Sequence, residues 1–171
     1  FINMITTLSI VRAIRRITGL PAVIKWPNDI KVNKKKVSGI LLESKLSSAD
    51  LDFLIVGVGI NVNFDSAAHP DIAATASSLM TESGKEVDRI NLLTSTLEEF
   101  ELLYMNLGNG NEIQKEWKAS LETLGLSIQV RQMGHVEEGV AIDTDPFGNL
   151  LLRRSDNSIV VLYAGEVTTQ L

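Results

Sequence analysis

The chain has 171 residues, of which 44% are hydrophobic and 22% are charged, and its formal net charge is −5. This length and composition fit a globular protein with one sizeable core, or with one core and a small second domain, and they exclude disordered, collagen-like and coiled-coil proteins. The net charge argues against nonspecific nucleic-acid binding, because surfaces that track phosphates carry a basic excess.

The supply of reactive side chains is narrow. The chain has no cysteine and only two histidines, so disulfides, thiolate nucleophiles and cysteine zinc sites are excluded, and histidine-centred sites are poorly supplied. No apolar run approaches the roughly 20 residues that cross a bilayer, and no signal peptide is recognisable. We therefore expect a soluble, cytoplasmic protein whose chemistry uses lysine, arginine, aspartate, asparagine and backbone amides.

The first segment, residues 1–18, is predicted to be an amphipathic helix that ends at Gly19. Apolar residues recur at every third position and leave a wide apolar stripe. Three arginines near its C-terminal end, where cations are favourable, are interpreted as a solvated face: Arg12, Arg15 and Arg16. Because the sequence opens at Phe1, in what looks like the middle of a helix, we expect an upstream segment.

The next stretch is predicted to contain three strands and a rigid corner. Pro27 stops regular strand pairing, and Asn28 and Asp29 supply side-chain hydrogen bonds that favour a corner. The strands are predicted over residues 22–26, 30–33 and 36–43. A lysine-rich turn joins the second strand to the third.

That turn decides on which face of the sheet Lys36 lies. Two alternative two-residue loops fit the sequence. A loop at positions 33–34 pairs Lys36 with Lys31, and a loop at positions 34–35 pairs it with Asn33. Because side chains alternate along a strand, either register places Lys36 on the same face as Asp29. A three-residue loop would reverse this prediction.

Residues 51–62 form a nearly continuous apolar run, which predicts a strand buried on both faces beneath helices. Gly57 and Gly59 are two positions apart, so both missing side chains lie on one face. They allow either close packing of a helix or a flat floor on which a ligand can lie.

The C-terminal half is predicted to begin with two helices, over residues 88–107 and about 111–123. Asp88 is the predicted N-cap of the first, Gly125 closes the second, and Trp117 is assigned to the core. The first helix is predicted to be amphipathic on one set of apolar residues: Ile90, Leu93, Leu97, Phe100, Tyr104 and Leu107.

Beyond residue 126, five short strands within about fifty residues predict a small closed barrel. The strands are predicted over residues 127–133, 136–143, 149–154, 158–162 and 166–169. We place the domain boundary between residues 124 and 125.

Three motifs resemble those of biotin protein ligases. They are Lys25-Trp26-Pro27-Asn28-Asp29 with the downstream Lys36 and Ser38-Gly39-Ile40-Leu41, then Gly57-Val58-Gly59-Ile60-Asn61-Val62-Asn63, and finally Ala164-Gly165-Glu166-Val167. They occur in the order and spacing of that family, across essentially the whole chain. The resemblance implies an α+β fold, with a mixed sheet covered by helices and then a small SH3-like β-barrel. Residues 1–124 would be the catalytic domain, which binds biotin and ATP, and residues 125–171 the barrel.

The resemblance also implies a two-step ligase reaction. The biotin carboxylate would attack the α-phosphate of ATP, giving biotinyl-5′-AMP and pyrophosphate, and a lysine of a carboxylase carrier domain would then take the biotinyl group. The implied cofactors are biotin, ATP and Mg²⁺, and the implied partner is the biotin carboxyl carrier protein domain. A homodimer is left open, no membrane is expected, and DNA is expected only if the whole protein has an N-terminal helix-turn-helix.

For catalysis, the resemblance singles out Lys36 and Asp29. Lys36 matches the lysine that lies beside the biotin carboxyl group and the α-phosphate, where a positioned donor is typically worth about 3–4 kcal/mol in the transition state. Asp29 is the candidate magnesium ligand, because Mg²⁺ is usually held by one or two carboxylates together with phosphate oxygens.

The remaining matched positions are expected to bind substrates. Asn28 and Lys25 would contact phosphate oxygens, and Asn61 would read the adenine with an amide that both donates and accepts. Three glycines would line the biotin site, where the flat rings need close backbone: Gly39, Gly57 and Gly59.

One family feature is absent. Biotin protein ligases carry a Gly-Arg-Gly-Arg loop upstream of the opening helix, and the three arginines of residues 1–18 do not match it because no glycine alternates with them. We therefore expect an enzyme that lacks its front portion. Two alternatives stay open: a non-catalytic regulatory module that binds biotin or nucleotide, and a relative of lipoate–protein ligase, which shares the fold and adenylate chemistry but has a different signature.

Overall fold

The computed structural model describes residues 1–47, 50–132 and 134–169, which form two antiparallel sheets and a set of helices. The predicted strand end at Met133 and the last two residues of the predicted barrel lie outside this part of the chain. None of the helices in the described ranges combines the length and hydrophobicity that crossing a bilayer requires.

The opening helix, α1, spans Ile2–Thr18 and ends at Gly19, whose φ of 73° is the left-handed conformation of a helix C-cap. Both bounds confirm the prediction. The predicted amphipathic stripe understates the burial of α1: from Met4 to Ile14 every residue except Arg12 is buried. The helix packs against the first sheet and against two later helices, α4 (Arg89–Met105) and α5 (Gly110–Ala119). This helix is therefore the centre of the core.

The predicted solvated arginines do more than face water. Arg15 and Arg16 are exposed, but Arg12 is half-buried and bonds to Glu99 at 3.1 Å and to Glu116 at 2.5 Å, which ties α1 to α4 and α5. The hydrogen bond to Glu116 raises the pKa of Arg12, and the same bond lowers the pKa of Glu116. Both groups therefore stay charged where the helices meet.

The first sheet has four strands in the order β1-β2-β3-β4, and all three strand pairings are antiparallel. The strands are Val23–Lys25, Asp29–Val32, Lys35–Ser47 and Asp50–Ile60. Among the described residues, parallel pairing occurs as two isolated bridges, Ile24 with Leu121 and Lys36 with Ala76. One face of the sheet buries apolar side chains beneath α1: Ile24, Ile30, Val32, Val37 and Ile40.

The hairpin between β2 and β3 turns on Asn33 and Lys34, whose φ angles of 48° and 71° fit a two-residue type I′ loop. Lys36 therefore pairs with Lys31, which confirms one of the two predicted registers. The register shifts by one residue beyond this pair, so Val37 is the extra residue of a bulge.

The prediction that residues 51–62 form a strand buried on both faces is wrong. β4 pairs with β3 alone among the described strands, and its apolar side chains are largely in contact with solvent; Ile55, for example, is 53% exposed. Helices of the described residues lie against one face of the sheet only. A continuous apolar run shows that a strand is hydrophobic, but it does not show what covers it.

Along the chain, short helical segments and the two longer helices, α4 and α5, come between β4 and β5. The short ones are a 3₁₀ turn at Ser66–Ala68, α2 at Pro70–Ala73, α3 at Leu79–Ser83 and a second 3₁₀ turn at Leu107–Asn109. Asp88 caps α4 by accepting hydrogen bonds from the backbone N–H groups of Ile90 and Asn91, as predicted. Trp117, in α5, is in the core, also as predicted.

Two details of these helices differ from the predictions. The apolar stripe predicted for α4 is mostly exposed, with Leu93 at 56%, because the helix packs against α1 through its other side; the buried residues are Leu92, Ser95 and Leu103. Helix α5 ends at Ala119 rather than near residue 123. The chain then runs beside β1, where Ile24 exchanges backbone hydrogen bonds with Ser120 and Glu122.

The second sheet has five antiparallel strands in the order β8-β7-β6-β5-β9. The strands are β5 Ser127–Gln132, β6 His135–Thr144, β7 Leu150–Arg153, β8 Ile159–Leu162 and β9 Glu166–Thr169, close to the predicted ranges. Together with the first sheet and the helices, they confirm the α+β fold with a C-terminal SH3-like part. The predicted boundary at residues 124 and 125 falls in the connection that precedes β5 and stays a prediction.

Candidate functional site

A row of four predicted site residues crosses the whole first sheet. In the strand registers Lys25 lies opposite Asp29, Asp29 opposite Gly39, and Gly39 opposite Gly59. The side-chain positions of directly opposite residues point to the same face, and here it is the face that α1 does not cover. We call these residues, Lys25, Asp29, Gly39 and Gly59, the cross-strand row.

Lys36 reaches this row through an ion pair. Its Nζ lies 2.5 Å from Oδ1 of Asp29, and the two side chains are 46% and 24% exposed. This contact confirms the prediction that Lys36 and Asp29 share a face. The site therefore holds a cation and a carboxylate side by side, both open to an incoming ligand.

Gly39 provides the space in which this pair forms. A Cβ atom at this position would lie 3.0 Å from both Cε and Nζ of Lys36 and 3.5 Å from Oδ1 of Asp29. Distances near 3.0 Å are tighter than ordinary contacts between carbon atoms. The missing side chain thus lets Lys36 lie across the strand and touch Asp29, a role that the sequence alone did not reveal.

Gly57 and Gly59 leave the floor of the same face open. A Cβ atom at Gly57 would be 3.7 Å from its nearest neighbour, Leu41, and one at Gly59 would be 4.0 Å from the carbonyl oxygen of Gly39. Packing within the described residues therefore does not require glycine at either position. Of the two interpretations left open, close helix packing at these glycines is not observed among the described residues. The floor for a ligand stays a prediction.

Asn28 stands beside the row but already holds the corner together. Its side-chain Nδ2 donates to the backbone carbonyl oxygen of Ile40 at 2.6 Å. Its backbone carbonyl oxygen accepts from the Ile40 N–H at 3.0 Å. These bonds fasten the corner to β3. An asparagine amide has a second N–H and an oxygen acceptor, so a ligand contact remains available to it.

Lys25, at the edge of the row, borders a cleft of about 220 Å³ between β1 and the second sheet. Lys31 and Glu122 form an ion pair of 2.5 Å in this cleft, and Glu166 lies on its far side. The cleft joins the cross-strand row to the C-terminal part of the protein.

Asn61 is the predicted site residue that the structure keeps apart from the row. It follows β4 directly, and its Nδ2 donates to the carbonyl oxygen of Ser77 at 3.0 Å. It lines a groove of about 580 Å³ between the end of β4 and α4, together with the exposed apolar residues Val58, Leu93 and Leu97.

A segment that the sequence did not single out connects these two places. The backbone N–H of Lys36 donates to the backbone carbonyl oxygen of Thr75, and the N–H of Ser77 donates to the carbonyl oxygen of Lys36, both at 2.9 Å. The segment at 75–77 therefore extends the sheet beside Lys36 and also holds Asn61. Small polar residues were the only sequence signal for it, and they fit any loop.

A metal ion at this site would need phosphate oxygens of a bound nucleotide in addition to protein side chains. In residues 1–47, 50–132 and 134–169, no group of three or more histidine, cysteine, aspartate or glutamate side chains could hold one. Mg²⁺ beside a nucleotide is usually bound by one or two carboxylates plus phosphate oxygens and water. The role of Asp29 as a magnesium ligand stays a prediction.

Comparisons with known proteins agree with the motifs. The family model described as the Biotin/lipoate A/B protein ligase family matches residues 1–61. The bifunctional ligase/repressor BirA of Bacillus spizizenii is 31% identical over 97% of this chain and 52% of its own length. The biotin--[acetyl-CoA-carboxylase] ligase of Mycobacterium tuberculosis is 30% identical over 84% of this chain and 52% of its own length. The chain thus spans about half the length of the curated relatives it matches.

Solved structures extend the likeness to the fold. The biotin protein ligase of Aquifex aeolicus matches with a TM-score of 0.85 and 28% identity, covering 99% of this chain and 73% of its own. The same ligase in complex with biotin and ATP matches with a TM-score of 0.83 and 27% identity, covering 99% of this chain and 70% of its own. These matches confirm the resemblance and the fold class expected from the sequence.

Proposed function

Because this chain is related in sequence and in fold to the biotin protein ligases over nearly its whole length, we propose that the protein is an ATP-dependent biotin–protein ligase. It would activate biotin as biotinyl-5′-AMP and transfer the biotinyl group to a lysine of a biotin carboxyl carrier domain. The observation that carries the proposal is the cross-strand row with Lys36 beside it. Two lysines, a carboxylate and two glycines share one open face there.

In the first step, an oxygen of the biotin carboxylate forms a bond to the α-phosphorus of ATP, and the bond between that phosphorus and the oxygen bridging to the β-phosphate breaks. Pyrophosphate leaves with the electron pair. Two anions must meet in this step, so a fixed cation lowers its barrier. Lys36 is the cation that the geometry offers, and its Nζ would turn from Asp29 towards the biotin carboxylate and the α-phosphate.

Asp29 would hold Mg²⁺ when the nucleotide binds. Bound Mg²⁺ supplies positive charge to the phosphate oxygens. The ion pair with Lys36 keeps the Asp29 carboxylate at the site until then, so the two groups have their partners before and after the substrates arrive. Lys25, opposite Asp29, and the second N–H of Asn28 would contact phosphate oxygens.

Biotin would lie on the floor made by Gly39, Gly57 and Gly59, where its fused rings could approach the backbone closely. Asn61 would read the adenine at the other end of the site. Its present bond to Ser77 uses one N–H and leaves an acceptor and a donor for the base.

In the second step, the unprotonated amine of the carrier lysine attacks the carbonyl carbon of the adenylate. The bond to the AMP oxygen breaks, AMP leaves, and the amine loses a proton as the amide forms. The name of the related ligase of Mycobacterium tuberculosis favours a carboxylase carrier as the acceptor. The proposed consumption of ATP favours the cytoplasm. No observation in the described residues favours a homodimer or DNA binding.

Pyrophosphate release in the full-length protein tests this proposal. We expect Lys36→Ala to lower biotin-dependent release by about a hundredfold or more, because it removes a donor that acts in the transition state. Lys34→Ala is the matched control, since it removes the same charge from the exposed turn of the same hairpin and should leave the rate unchanged.

Three results would contradict the proposal at different points. If Lys36→Ala releases pyrophosphate as fast as the unmodified protein, Lys36 is not the catalytic cation. If the unmodified protein releases none with biotin but does so with lipoate, the protein is a lipoate ligase. Release with neither acid would instead support a non-catalytic binding module.

A further inference from the structure

Trp26 is buried at the junction of three parts of the molecule. It follows β1, is 2% exposed, and its backbone N–H donates to Oγ1 of Thr123 at 3.0 Å, in the connection to β5. Its indole Nε1 donates to the carbonyl oxygen of Gly148 at 2.9 Å, in the turn between β6 and β7. A buried indole N–H needs such a partner, so this contact fixes how the ring is seated.

The turn that accepts this bond has hydrogen bonds of its own and packs against the core at Gly148. Oδ1 of Asp145 accepts from the N–H groups of Phe147 and Asn149, at 2.8 and 2.9 Å. Gly148 has a φ of 85°, and a Cβ atom there would lie 2.6 Å from Cε of Met4 in α1. The turn therefore has no room to shift towards the helix.

The same tryptophan leads directly into the candidate site. Only Pro27 and Asn28 separate it from Asp29, and the carbonyl oxygen of Pro27 accepts from Nδ2 of Asn3 in α1 at 2.8 Å. The corner is thus held from α1 on one side and from the turn of the second sheet on the other. If the indole ring of Trp26 shifted, Asn28 and Asp29 would be expected to shift with it.

We propose that Trp26 is a positioning residue, and that its hydrogen bond to Gly148 makes the second sheet set the place of the Asn28–Asp29 corner for the nucleotide half of the reaction. This inference rests on the proposed ligase function. The corner carries the residues proposed for phosphate and Mg²⁺, whereas the proposed biotin floor lies on β3 and β4 and meets the corner only where Asp29 lies opposite Gly39. The contact should therefore matter more for ATP than for biotin.

The test is Trp26→Phe in the full-length protein, with Trp117→Phe as the matched control. Both tryptophans are almost fully buried, at 2% and 1% exposure, and each makes one indole hydrogen bond; that of Trp117 goes to Oγ1 of Thr7 at 3.0 Å. We expect the midpoint temperature of thermal unfolding to fall by similar amounts in the two variants. We expect kcat/KM for ATP to fall at least about tenfold more in Trp26→Phe, with the biotin Kd changed less than about twofold.

A second variant guards against a fold defect: β-(3-benzothienyl)alanine at position 26 keeps the shape of the ring and lacks the N–H. Native-state hydrogen exchange gives a readout that does not need activity. The Ile40 amide, which donates to Asn28, should exchange faster in both position-26 variants than in Trp117→Phe.

Equal ATP kinetics and equal Ile40 exchange in the position-26 variants and the control would overturn the inference. Loss of biotin affinity in parallel with kcat/KM for ATP would also overturn it, because that is the result of a general structural role. If the unmodified protein forms no adenylate, the ligase proposal fails, and the exchange experiment still decides whether the contact holds the corner.

Discussion

Glycines of the candidate site differ in what their missing side chains accommodate. Gly39 makes room for another part of the same chain, the end of Lys36, whereas a Cβ atom at Gly59 would make only an ordinary contact, 4.0 Å from the carbonyl oxygen of Gly39. A glycine that its own fold does not require points to an outside group that comes close to the backbone. At the residue scale, Gly59 is therefore the sharper probe of the proposed biotin floor.

We expect Gly59→Ala to leave the free energy of unfolding within about 0.5 kcal/mol, since the nearest atom to the new Cβ would be 4.0 Å away. We expect biotin to bind at least about tenfold more weakly, because the methyl group would occupy the floor. Isothermal titration with biotin and urea unfolding measure the two quantities.

Gly108→Ala is the control for this prediction, because nothing lies within 4 Å of its added Cβ and it is remote from the row, between α4 and α5. It should alter neither quantity appreciably. Unchanged biotin affinity in Gly59→Ala would show that the ring system of biotin lies elsewhere.

At the scale of elements, the β2–β3 hairpin depends on its two-residue turn. The type I′ loop needs φ > 0 at both positions, and asparagine is well suited to the first. Lys34 occupies the second, where glycine is preferred and a lysine is strained. A turn of this length is also what places Lys36 opposite Lys31 and on the face of Asp29.

Lys34→Gly is expected to raise the free energy of unfolding by up to about 1 kcal/mol, because it relieves the left-handed strain at this position. Chemical denaturation measures the change. Lys35→Gly is the opposing control: Lys35 is the first residue of β3, where glycine should destabilise by about 0.5–1 kcal/mol. Equal effects of the two substitutions would argue against a type I′ turn.

At the scale of the whole molecule, both sheets share one hydrophobic core. The cluster of buried apolar residues runs from Met4 in α1 through Trp26 and Trp117 to Leu152 in the second sheet. The turn that begins at Asp145 is part of this junction, and Gln114 of α5 donates to its carbonyl oxygen at 2.8 Å. The carboxylate of Asp145 holds this turn in shape, so we expect its protonation to affect the stability of the whole fold.

Burial alone would raise the pKa of Asp145, but hydrogen bonds from the Asn149 side chain and from backbone N–H groups of the turn bring it below the ordinary value of 3.8. A carboxylate with a lowered pKa in the folded state stabilises the fold fully above its ordinary pKa, and this stabilisation is lost as the pH falls through the lower folded value. The window therefore lies below about pH 4.

We expect Asp145→Asn to destabilise the protein more at pH 7 than at pH 3, as measured by urea unfolding at both values. Below the ordinary value of 3.8 the carboxyl group of the unfolded chain takes up a proton, so the stabilisation by the folded carboxylate begins to be lost and the difference between the two proteins shrinks. Pro146→Ala, in the same turn but without a carboxylate, should change stability equally at both pH values. A difference for Asp145→Asn that does not shrink at pH 3 would contradict the assignment.

The sequence alone determined most elements and one decisive relation within the site. Hydrophobic periodicity, the Asp88 cap and the turn residues are local signals, and the structure confirms the helices and strands that they predicted. The shared face of Asp29 and Lys36 was also predictable for either two-residue loop, because side chains alternate along strands; the structure showed that the loop has two residues. The roles of the matched site residues remain predictions that rest on motifs.

Only the tertiary structure decided what covers each element and which residues meet across strands. Apolar runs in β4 and α4 looked buried, yet both are largely exposed, because periodicity measures hydrophobicity and not the presence of a packing partner. The cross-strand row, the space that Gly39 leaves for Lys36 and the bond from Trp26 to Gly148 all depend on long-range registers and packing. Neighbours along the chain cannot encode these contacts individually, since each joins segments that only the complete fold brings together.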